Sequence, residues 1–93
     1  MRLNTNEIST IKRELLALDP EASIYLFGSR TNDAAKGGDI DLLIESNQFD
    51  MRTKAAYRWA LMEELGEQKI DLVIHSEKNY AFVKQIKSHA IKL

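Results

Sequence analysis

The 93 residues suffice for one compact domain and are too few for two, so a single domain spanning residues 1–93 is expected to hold any functional site. At 44% hydrophobic and 29% charged residues the composition excludes a disordered or fibrous chain, and 13 basic against 14 acidic residues leave no field that would draw in nucleic acid, so no direct nucleic-acid binding is expected. The absence of cysteine excludes disulfides and thiol chemistry, and no apolar run approaches the roughly 20 residues that cross a bilayer, so a cytoplasmic protein without membrane contact is expected.

Asn4 followed three residues later by Glu7 forms a capping box, and Ile8, Ile11, Leu15 and Leu18 then recur on one helical face up to Asp19-Pro20. Ser23 to Phe27 is a run of strand formers ended by Gly28, and the polar stretch from Ser29 to Gly38 has room for a short helical turn and a loop. Asp39 to Glu45 reads as a second strand. Asp50 then caps a helix expected to turn Ala55, Trp59, Met62 and Leu65 inward as far as Gly66. Lys69 to His75 reads as a third strand, and Phe82, Val83, Ile86, Ala90 and Leu93 fall at helical spacing to close the chain as a helix. The order α-β-α-β-α-β-α argues for an α/β (α+β) structure around a small mixed three-stranded sheet. The long helix between the second and third strands makes those two parallel neighbours.

Side chains alternate across a strand, so Asp39 and Asp41 project from one face while Ile40 and Leu42 project from the other. Their Cα atoms stand about 6.6 Å apart, within reach of one cation or a pair. The third strand echoes the second: Ile40-Asp41-Leu42-Leu43-Ile44 returns as Ile70-Asp71-Leu72-Val73-Ile74, and parallel pairing puts Asp71 beside Asp41. A lone acid at a strand start is ordinarily just solvated. Three on one face repel one another unless a cation or protons offset the charge, and oxygen ligands of this kind suit Mg²⁺ or Mn²⁺. Asp39, Asp41 and Asp71 are therefore the candidate metal ligands and catalytic residues. Gly28-Ser29 directly after a strand offers backbone N–H groups and a hydroxyl to a phosphate, with Arg30 beside them as a further candidate. A triphosphate held there with Mg²⁺ would be open to in-line attack at its α-phosphorus, with Asp71 as general base.

Gly28-Ser29, nine intervening residues, Asp39-Ile40-Asp41 on a strand and Asp71 on the next together resemble the DNA polymerase beta-type nucleotidyltransferase superfamily. Within it, the chain is similar to the minimal nucleotidyltransferase domains that act as MntA-like antitoxins beside HEPN-domain toxins. That resemblance implies that Gly28 and Ser29 contact the triphosphate of ATP. It also implies that Asp39, Asp41 and Asp71 hold Mg²⁺, two ions in all, and that AMP passes to a tyrosine hydroxyl of the partner toxin. The loop departs from the family pattern in being a residue shorter than in many relatives and in carrying Lys36-Gly37-Gly38. Two other readings are a module that neutralises a toxin by binding alone, and a small-molecule nucleotidyltransferase completed by a second chain. His75 and His89 have no acid at ligand spacing, and Tyr57 and Trp59 on the long helix are expected to pack rather than react.

Overall fold

A computed structural model describes residues 3–28, 39–66 and 68–93. The first helix, α1 (Thr5–Leu18), starts at the expected capping box: Glu7 N–H donates to Asn4 Oδ1 at 2.7 Å and Asn4 N–H to Glu7 Oε1 at 3.0 Å. Thr10, Ile11 and Leu15 form its buried face, while Leu18 is exposed. Strands β1 (Ser23–Phe27) and β2 (Ile40–Glu45) follow, antiparallel to each other. Helix α2 (Met51–Leu65) is capped by Asp50, whose Oδ1 accepts from Thr53 N–H at 2.8 Å, and it ends at Gly66, whose φ of 82° is open to glycine. Strand β3 (Ile70–Ile74) runs parallel to β2, as a crossover through a helix requires. A short 3-10 turn (Glu77–Asn79) leads into α3 (Tyr80–Lys87).

The chain's last residues depart from expectation. The closing helix stops at Lys87, and Ile91–Lys92 form a further strand, β4, antiparallel to β1. The sheet therefore has four strands in the order β3-β2-β1-β4, not three. The reason is the free edge of β1: its unpaired backbone groups accept a strand there, and Leu93 N–H donates to Ile24 O at 3.0 Å. The short helical turn expected after Gly28 falls outside the described residues.

Helices α1 and α2 cover one face of the sheet, over Ile24, Leu26, Ile40, Leu42 and Ile44. On the other face Val83 and Ile86 of α3 bury Leu43, with Tyr25, Phe27 and Val73 around them. Phe82, expected inside, is 53% exposed.

Of the face of α2 expected inward, only Leu65 packs against the core. Tyr57 and Leu61 are fully buried, while Trp59 is 65% exposed. Tyr57 settles the rotation of the helix. Its hydroxyl donates to Ile11 O of α1 at 2.8 Å, and its ring meets Phe49 edge-on at 5.8 Å between centroids. Tyrosine satisfies its polar tip inside the core in this way and leaves the tryptophan two residues away, roughly half a turn round, on the opposite side. Arg13 of α1 and Glu64 of α2 add an ion pair between the two helices.

Tyr57→Ala should therefore cost about 3–5 kcal/mol in urea unfolding. Trp59→Ala should stay within about 0.5 kcal/mol of the parent at low protein concentration.

Candidate active site

Ile40, Leu42 and Ile44 are fully buried under α1 and α2, which by alternation turns Asp39, Asp41, Leu43 and Glu45 to the opposite face. The parallel register pairs Asp41 with Asp71, and the antiparallel register pairs Asp41 with Phe27, the residue before Gly28. Adjacent strands lie about 4.8 Å apart, so the Asp41 and Asp71 backbones are as close as neighbouring strands allow. Gly28 closes the group. Its φ is +76°, and a Cβ built on it would collide with the Asp41 carboxylate, so the turn after β1 lies directly on that side chain. Four of the residues singled out in the sequence, Gly28, Asp39, Asp41 and Asp71, thus gather at one end of the sheet. Ser29 and Arg30 lie outside the described residues.

The electrostatics of the group centre on Asp41. Burial, then the charge of Asp71 and a hydrogen bond with its side chain, then the charge of Asp39 push its carboxyl up from 3.8 to about 6. Lys69 Nζ, 3.6 Å from Asp39 Oδ2, offsets part of this negative charge, but the pair is largely exposed and weak. Sequence reasoning missed Lys69, although the echo of the two strands contains it: Lys69-Ile70-Asp71 aligns with Asp39-Ile40-Asp41, so the register that joins the aspartates also sets Lys69 beside Asp39.

In type, the donor set fits a hard divalent cation: carboxylate oxygens only, with more negative charge than Lys69 can offset. Among the described residues, no three acidic or histidine side chains already converge in the manner of a closed metal centre, and Asp39 is engaged by Lys69. Two clefts lined by described residues lie at the other end of the strands. One of about 430 Å³ is bounded by Asp19, Glu45, Ser46 and His75, and one of about 660 Å³ by Phe49, Met51, Val73 and Lys78. The first is polar and internally paired, with Ser46 Oγ donating to Asp19 Oδ2 at 2.5 Å and His75 Nδ1 lying 3.2 Å from Glu45 Oε2. His75 thus has an acid partner, supplied by the parallel pairing of β2 and β3. No helix among the described residues is long and apolar enough to cross a membrane.

With this geometry in view, a comparison with known families gives the class. The family model of the nucleotidyltransferase domain matches residues 8–93, and the chain belongs to that family. It also shares its fold, at a TM-score of 0.69 and 24% identity, with a crystal structure assigned as a nucleotidyltransferase, covering 96% of this chain and 99% of that one. No curated protein matches it. The chain is thus a nucleotidyltransferase domain, of a family that works with a nucleoside triphosphate and a divalent metal ion.

The raised Asp41 carboxyl has a measurable consequence in the metal-free protein. Its folded pKa of about 6 lies above the unfolded value of 3.8, so between these the folded state binds more protons, and stability falls as pH rises through 6. Urea unfolding in EDTA should give a lower stability at pH 7 than at pH 5, and Asp41→Asn should flatten that fall.

Proposed function

We propose that this nucleotidyltransferase transfers AMP from ATP to a hydroxyl of a partner protein, a tyrosine of a HEPN-domain toxin, and so acts as an antitoxin. The observation that carries the phosphate chemistry is the contact of the Gly28 turn with Asp41, with Asp71 in register beside it. Triphosphate and carboxylates then meet at one point. The protein acceptor rests on the resemblance of the Gly28-Ser29 and Asp39-Ile40-Asp41 pattern to the minimal antitoxin domains.

In this reading Gly28 and Ser29 present backbone N–H groups to the phosphate oxygens, and a side chain at position 28 would strike the Asp41 carboxylate. Arg30 adds charge to the same group. Asp39, Asp41 and Asp71 would hold Mg²⁺, two ions in all. A divalent cation bound by these carboxylates supplies charge neutralisation at the triphosphate and polarisation of its α-phosphorus. Asp71 takes the proton of the acceptor hydroxyl at a carboxylate oxygen. The acceptor oxygen forms a bond to the α-phosphorus as the bond to the β-phosphate bridging oxygen breaks, and pyrophosphate departs with that electron pair. Lys69 partly offsets the charge of Asp39 before substrate arrives.

Incubation with α-labelled ATP, Mg²⁺ and a co-encoded HEPN partner should label the partner. Asp71→Asn should slow labelling by about 10²- to 10⁴-fold, the usual contribution of a positioned base. The double variant Asp39→Ala, Asp41→Ala should abolish it. Tight complex formation without label would instead identify an antitoxin that works by binding alone.

A further inference from the structure

Helix α2 carries a second apolar stripe on the side turned away from the sheet. Met51 (83% exposed), Ala55, Trp59 (65%) and Met62 (39%) recur at i, i+4, i+8 and i+11. They form one line about 16 Å long down the helix. Arg52 and Glu63, both exposed, stand beside that line near its two ends. The face is separate from the acid cluster, because α2 lies over Ile40 and Leu42 and the aspartates project from the other side of the sheet.

We propose that this face joins two copies of the chain, packed as antiparallel α2 helices about a two-fold axis level with Tyr57. Under that symmetry each Trp59 ring lies over the small Ala55 of the other copy, and Met51 of each meets Met62 of the other. A large side chain thus faces a small one at the centre, and flexible ones close the ends. Arg52 of each copy falls beside Glu63 of the other, so two ion pairs flank the stripe.

The charge order of the helix points to the same occupant. Its first turn holds no acid and its last turn no base, so Arg52 and Glu63 stand at the ends where the helix's own dipole disfavours them. An antiparallel copy reverses this: Arg52 meets the partner helix's negative end and Glu63 its positive end. The pattern is complementary to itself, as an isologous contact requires. One helix pair buries less than the roughly 800 Å² per partner of a standard interface, so the dimer is weak and concentration-dependent, and it leaves the aspartate face of each copy open.

Sedimentation velocity of the intact chain from roughly 5 to 500 µM, the range where such a contact populates, tests this. The sedimentation coefficient should rise with concentration. Trp59, the sole tryptophan, should shift its emission to the blue in step. Trp59→Glu should hold the sedimentation coefficient at the monomer value across the whole range, with an unaltered far-UV circular dichroism spectrum. Arg52→Glu and Glu63→Arg should each be monomeric alone and should associate when mixed, because the mixture restores both ion pairs in a heterodimer. A monomer across the series, association that survives Trp59→Glu, or no recovery on mixing would each overturn the proposal.

Discussion

The pairing of β2 with its two neighbours is the constraint on which the rest of the structure depends. Its buried residues Ile40, Leu42 and Ile44 lock the strand against α1 and α2. A slip of one residue would exchange that apolar set for Asp41 and Glu45 and bury their charges. The same register therefore protects the core and delivers Asp41 to the open face, beside Asp71 on one side and Phe27-Gly28 on the other. Packing energy and the placement of the acids are two consequences of one alignment.

That alignment also concentrates an electrostatic cost. Asp41 is held partly out of water between two other carboxylates, and among the described residues Lys69, in contact with Asp39, offsets part of the charge. A stability-optimised strand would not carry acids there. Such a cost is a common mark of a functional site, and the chain belongs to the nucleotidyltransferase family.

The two sides of the sheet divide the labour. The α1–α2 side carries the larger core, tied by the Tyr57 hydroxyl to the backbone of α1 and by Arg13 to Glu64. On the α3 side a smaller cluster around Leu43 leaves the start of β2 to the acids. At the far end, Glu45 gathers His75 and Lys87, with Lys87 Nζ 3.1 Å from its carboxylate and above the Tyr25 ring. This second charged group links α3 to β2 through Lys87 and Glu45.

Local signals in the sequence determined the elements they act on directly. The Asn4–Glu7 and Asp50 caps, the glycine stops, the alternation of Ile40, Asp41 and Leu42, and the echo between two strands are all interactions within a few residues or properties of a repeating backbone. They were enough to place Asp41 beside Asp71 before any coordinates, once the intervening helix required a parallel crossover. Tertiary structure decided what local pattern leaves degenerate. Helix α2 offers two apolar stripes of nearly equal strength. Which one turned inward depended on Tyr57 finding Ile11 O, 46 residues away in sequence, so Trp59 came to face outward. Likewise Ile91–Lys92 read as helix by spacing, yet the free edge of β1 made them a strand, because unpaired backbone groups at a sheet edge outweigh the periodicity of a short tail.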